Sequence, residues 1–320
     1  MSTQIGRARP QQAGSTPTTR SRGARSSLET RRRRLFYPFV IPALALYLIF
    51  FIAPSLAAVW ISFNKWTGSG EMTWRGLRNY EVLIQDPVFH QAFRNTLVIL
   101  VVVGSVVFVI SFLLTMVLRE MKGAKFVRSV LFFPYIVSPI VLSIVWGFLF
   151  QYNGLVNTVL GFLGMSPVKW LSSDNIFPMI LVGMVWINVG LYATIILAAV
   201  DRIPAQFYED SAIAGTNAFQ RFRYITLPMT WDVVSVVAIL WTINSLKMFE
   251  FIFAFGGTTN DLPGQSVWNS ALFVYSSSFG GREPSYAFGY ASAAAILMLA
   301  LFTAFVLLLG RLLRREAIEF

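Results

Sequence analysis

The chain has 320 residues, of which 56% are hydrophobic and 13% charged, with a formal net charge of +11 and no cysteine. Ordinary globular domains carry roughly 25% charged residues, so this composition excludes a protein solvated by water alone. The missing cysteine excludes a disulfide framework, a thiolate metal site and a cysteine nucleophile.

Residues 1–34 hold nine arginines (Arg7, Arg9, Arg20, Arg22, Arg25 and Arg31, Arg32, Arg33, Arg34) against the single acid Glu29, among Ser, Thr, Gln, Gly and Pro. That is the composition of a disordered segment, and 1–34 is expected to be a disordered Arg-rich cytoplasmic tail ahead of a membrane domain spanning 35–320. The Arg run reads as a topology signal in preference to a nucleic-acid or anionic-lipid site, and no nucleic-acid partner is expected. The long polar lead argues against a cleaved signal peptide.

Apolar runs long enough for a hydrocarbon core of ~30 Å, about 20 residues each, predict an all-α integral membrane protein with six spanning helices. They fall near residues 36–63, 95–118, 129–150, 177–199, 231–254 and 287–310. Thr96 to Leu118 is uncharged throughout and at ~1.5 Å per residue is long enough to cross. Pro134 and Pro139 predict a kink in the third span. The small residues Gly289, Ala291, Ser292, Ala293 and Ala294 predict close helix approach in the sixth.

Positive residues stay on the cytoplasmic side. The tail, the loop 119–128 with four basic residues against Glu120, and the end with Arg311, Arg314 and Arg315 therefore belong inside. The loops 151–176 and 255–286, whose only basic residues are Lys169 and Arg282, belong outside with 64–94. Both termini are expected to be cytoplasmic.

The inside segment 200–230 is long and mixed in charge. Ala205 to Ala214 reads as a short helix, Gly215 as a break, Asn217 as a cap and Ala218 to Tyr224 as a second short helix, with Pro228 restarting the chain into the fifth span. Two such helices make a surface for a partner protein; the alternative is an amphipathic element resting on lipid headgroups.

This segment resembles the cytoplasmic EAA signature of ABC importer permeases, in which EAA is followed by three residues, a glycine and later I-x-LP. Glu209, Asp210 and Ser211 stand at the EAA positions, followed by Ala212, with Gly215 at the glycine, Phe222 at the later aromatic and Ile225, Leu227 and Pro228 at the close. Asp210 and Ser211 depart from the two alanines, and Ala214 stands where an acid often precedes the glycine. WISFNKWTG, LRNYEVLI, FRNTLVIL, LFFPYIVSP, FGG and FGYASAAAIL extend the resemblance over most of the chain after residue 35, and most closely to the sugar branch, the maltose-type first permease subunit.

The resemblance implies the type I permease fold and a transport subunit that is not itself an enzyme. It implies a second homologous permease, two ATPase subunits gripping the 200–230 loop, an extracytoplasmic solute-binding protein and surrounding membrane lipid. The solute expected is a disaccharide or oligosaccharide, with glycerol phosphate or a polyol as the alternative. No GxxxxGK[ST] phosphate loop is present, so this chain is expected to bind no cofactor, ATP and magnesium residing on the ATPase. The lone His90 reads as a surface residue rather than a metal ligand, and no catalytic set is evident.

Polar groups inside spans tend to face a bundle interior or a cavity. Asn188 and Tyr192 share one face of span four, and Trp241, Asn244, Ser245 and Met248 one face of span five. Rings for sugar C–H faces and amides for hydroxyls suit a sugar. The family's lining of its path by these two spans implies the same for Asn188, Leu191, Tyr192, Trp241, Asn244, Ser245 and Met248. The alternative is that these groups bond neighbouring helices. Lys247 and Glu250, three apart, read as neutralising each other on one helix. An ion-coupled secondary transporter is the rival class, disfavoured because no internal repeat is evident.

Overall fold

The computed structural model of the chain describes residues 37–256, 262–280 and 287–313. The Arg-rich tail, Arg282, Arg314 and Arg315 lie outside the described residues. The chain divides into two units, Met1–Leu56 and Ala57–Phe320. In the first, Tyr47 and Phe51 stack at 5.1 Å one helical turn apart.

Four unbroken helices are long and apolar enough to cross a membrane: α1 (Tyr37–Ser62), α3 (Pro87–Arg119), α7 (Ile176–Val200) and α13 (Phe288–Leu313). Two further candidates are bent pairs. Helices α4 (Ala124–Ile136) and α5 (Pro139–Leu149) meet at 96°, and α9 (Ala218–Met229) meets α10 (Trp231–Lys247) at 77°. Among the described residues the remaining elements are short: a hairpin β1 (Asn64–Lys65) with β2 (Thr73–Trp74), and helices α2 (Arg78–Gln85), α6 (Leu155–Phe162), α8 (Ala205–Ile213), α11 (Glu250–Gly256) and α12 (Ser270–Phe279).

Three expected boundaries are corrected. The second span starts at Pro87, not near 95, because Asp86 caps the helix through Val88 N–H (2.8 Å) and Phe89 N–H (3.4 Å), with proline at the first helical position. The third is two helices, broken where Val137 and Ser138 turn extended ahead of Pro139; Pro134 stays within α4. The fifth is straight only over α10. Pro228 sits inside α9 instead of restarting the chain, and the bend falls at Thr230.

Helices α3 and α7 run parallel, since Ser111 Oγ donates to the Val189 carbonyl (3.2 Å) and Thr115 Oγ1, one turn on, to that of Ala193 (3.3 Å). Helix α4 lies against α7 with Gly190 at the crossing, where a Cβ would collide with the Leu131 carbonyl. Gly289 likewise lets α13 touch the backbone at Asn64, and Ala291, Ala293 and Ala294 are buried beside it, as their small size predicts.

Side-chain bonds gather the loops at two ends. At one end Asn95 donates to the carbonyls of Ser266 and Trp268, Thr96 meets Ser270 (2.6 Å), Tyr290 donates to Asp86, and Asn79 donates to Ser62 and Asn64. At the other, Arg128 pairs with Asp201 at 3.4 Å and Trp231 Nε1 donates to the Leu313 carbonyl.

Candidate functional site

The segment between α7 and α10 is a pair of helices locked by local chemistry. Helix α8 ends in a Schellman turn: Gly215, at φ 73°, bonds back to Ala212, and Thr216 N–H donates to the Ser211 carbonyl (3.1 Å). Helix α9 opens with a reciprocal capping box, in which the Asn217 side chain accepts from Gln220 N–H and the Gln220 side chain from Asn217 N–H, both at 2.8 Å. Gly215 and Asn217 thus fall where the sequence puts the break and the cap.

The signature residues divide between two faces. Glu209, Asp210 and Ala212 are exposed, as are Ile213 (88%) and Phe219 (72%). Ser211 is buried and its Oγ donates to the Tyr208 carbonyl (2.8 Å), so a small residue is required there. Ile225, Leu227 and Pro228 are half-buried, and the half-buried Phe222 packs edge-on against Phe112 of α3 at 5.2 Å.

Two anchoring residues are not evident from the sequence. Tyr208 hydrogen-bonds Thr226 across the pair (2.9 Å), and the Arg119 guanidinium lies 3.5 Å from the centre of the Tyr208 ring. Arg119, placed by the sequence in the loop 119–128, is instead half-buried at the end of α3. A tyrosine one position before the signature glutamate is the only trace of this arrangement.

Near the middle of the helices, the intramembrane polar residues form a second constellation. Tyr192 is fully buried and Trp241 nearly so, their rings edge-on at 5.6 Å, with Phe108 5.9 Å from Tyr192. Asn244 Nδ2 donates to Tyr192 Oη (3.2 Å), and Trp241 Nε1 to the Leu100 carbonyl (2.8 Å). Asn188 and Ser245 are buried and donate to carbonyls of their own helices, Met184 and Thr242. Leu191 is half-buried beside them.

Met248 is not on the Trp241–Asn244 helix face. Helix α10 ends at Lys247 and Met248 is extended, its carbonyl accepting from Asn269, which also caps α12 through Leu272 N–H. The break also separates Lys247 from Glu250; both are exposed, and the ion pairs among the described residues are Arg78–Glu81 and Arg128–Asp201. The expected Lys247–Glu250 pair on one helix is therefore absent.

The sequence matches the family described as "Binding-protein-dependent transport system inner membrane component" over residues 113–318. The chain belongs to that family. It is therefore a multi-pass component of the inner membrane in a transport system that works with a solute-binding protein. This inner-membrane component is 31% identical over 296 residues to the trehalose/maltose transport system permease protein MalF of Thermococcus litoralis, covering 90% of this chain and 98% of that one. It is 29% identical to the diacetylchitobiose uptake system permease protein NgcF of Streptomyces coelicolor, covering 92% and 88%. Its fold matches the crystal structure of a bacterial ABC transporter involved in import of the acidic polysaccharide alginate, with a TM-score of 0.78 at 21% identity, over 92% of this chain and all of that one.

Proposed function

We propose that this permease forms half of the translocation path of an ATP-driven sugar importer, for a disaccharide or oligosaccharide, and is coupled to a separate ATPase through α8 and α9. The observation that carries the reading is the rigid two-helix segment. Its turn and cap are fully satisfied, yet it presents Glu209, Asp210, Ile213 and Phe219 to solvent. Large apolar side chains exposed beside carboxylates suit burial against a partner. Relatives named for trehalose/maltose and diacetylchitobiose favour a sugar as solute.

On this proposal each bent pair is one span, giving six spans with both termini in the cytoplasm, the tail 1–34 included. The parallel course of α3 and α7 and the sorting of loops to two ends support it. A second permease subunit completes the path, two ATPases hold ATP and magnesium, and this chain binds no cofactor. Asn188, Leu191, Tyr192, Trp241, Asn244, Ser245 and Met248 border the path on this side.

Co-purification of the tagged chain from its native membrane tests the assembly. Recovery of an ATPase, a second permease and a sugar-binding protein is expected; a chain recovered alone and transporting by itself in vesicles overturns the reading. Asn188→Ala and Asn244→Ala are expected to raise the KM of uptake, and an unchanged KM in both removes these residues from the path.

A further inference from the structure

Below α8 and α9 lies a small hollow of about 50 Å³, open to solvent on one side, between the C-terminal ends of α3 and α7. Its wall is divided by chemistry. Phe112, Met116, Val200 and Phe222 supply apolar surface, and Arg119 and Arg221 supply charge.

Neither arginine forms an ion pair with a carboxylate among the described residues. The hydroxyls in the wall are already engaged: Tyr208 with Thr226, and Thr115 with the carbonyls of Ser111 and Ala193. The donors left to meet a ligand are therefore the two guanidinium groups, one of them held over the Tyr208 ring. Exposed Lys122 and Lys125 lie just beyond Arg119 in the chain and add positive charge.

We infer that this hollow seats the phosphate of an anionic phospholipid on Arg119 and Arg221, with the upper acyl carbons leaving it past the half-buried Phe112 and Met116. Guanidinium forks match phosphate oxygens in geometry and charge, and a ligand that is ionic at one end and apolar at the other suits this wall better than a free anion. Bound there, the lipid touches α3, α7 and both coupling helices at once, so it stiffens the segment that moves with the ATPase. That consequence rests on the function proposed above; the lipid site itself does not.

The test is native mass spectrometry of the assembled transporter in detergent, offered phosphatidylglycerol and phosphatidylcholine in equal amounts. The wild type is expected to retain phosphatidylglycerol about tenfold better, a difference of about 1.4 kcal/mol. Arg119→Gln combined with Arg221→Gln is expected to abolish that preference, and Arg223→Gln, outside the hollow, to preserve it. Equal retention of the two lipids by the wild type overturns the inference, whether or not the double variant assembles. So does displacement of phosphatidylglycerol by inorganic phosphate, which would mark a free-anion site. So would lipid present on the permease stripped of its ATPase but absent from the full assembly, which would give the hollow to the partner protein.

Discussion

The side-chain amide of the half-buried Asn244 donates to the hydroxyl of Tyr192, joining α10 to α7 where the Tyr192 ring lies within the apolar core. Tyr192→Phe keeps the ring contacts with Phe108 and Trp241 and removes only the acceptor. It is expected to cost about 1 kcal/mol, the size of an interhelical hydrogen bond within a membrane. Tyr192→Ala, which also leaves a cavity, is expected to cost about 3–5 kcal/mol. Thermal unfolding of the purified protein in detergent distinguishes the two, and equal losses would place the whole effect in the hydroxyl.

Gly104 and Trp241 are a fitted pair. A Cβ at Gly104 would lie 2.9 Å from Trp241 Cδ1 and closer still to Nε1, the atom that donates to the Leu100 carbonyl. Gly104→Ala is expected to destabilise by about 1–3 kcal/mol through overpacking. In a Trp241→Phe background, where the smaller ring leaves room, the added cost of Gly104→Ala is expected to shrink. Strict additivity in this double-mutant cycle would contradict the contact.

A methyl group at Gly215 would meet no atom within 4 Å, so the requirement there is backbone conformation alone, at φ 73°. Gly215→Ala is expected to cost about 1 kcal/mol and to weaken coupling mildly. Gly215→Pro, whose ring fixes φ near −65° and removes the N–H that bonds Ala212, is expected to disrupt the Schellman turn. Solute-stimulated ATP hydrolysis by the reconstituted transporter should then fall in the order wild type, alanine, proline. Normal stimulation in the proline variant would detach this turn from coupling.

Asn269 is fully buried and serves two elements, capping α12 and donating to the Met248 carbonyl at the break after α10. Asn269→Ala removes both bonds and is expected to cost about 1–3 kcal/mol. Asn269→Asp keeps the cap acceptor and loses the donor, so it separates the two roles. Protease sensitivity near residue 248 is expected to rise in both variants.

The features legible in the sequence are those encoded within a few residues. Uncharged runs locate α3, α7 and α13, Pro139 marks the break in the third span, and Gly215 and Asn217 mark the turn and cap of the α8–α9 pair. Helix α12 escapes a sequence reading because its cap is a single Asn269 inside what reads as an extended outside loop. The break at Met248 escapes it because no proline or glycine signals it; the carbonyl it frees is satisfied by a residue 21 positions away. Arg119 on Tyr208 is invisible for the same reason, being a contact between helices far apart in the chain.

The missing side chain at Gly190 has a mechanical consequence. With the backbone of α4 lying directly on α7 at Leu131 and Phe132, no layer of side chains remains at the crossing for one helix to slide over the other. The two helices must therefore travel as one strut. Any bending of these spans is left to Val137–Ser138 and Thr230, the joints where the helix axes already turn by 96° and 77°.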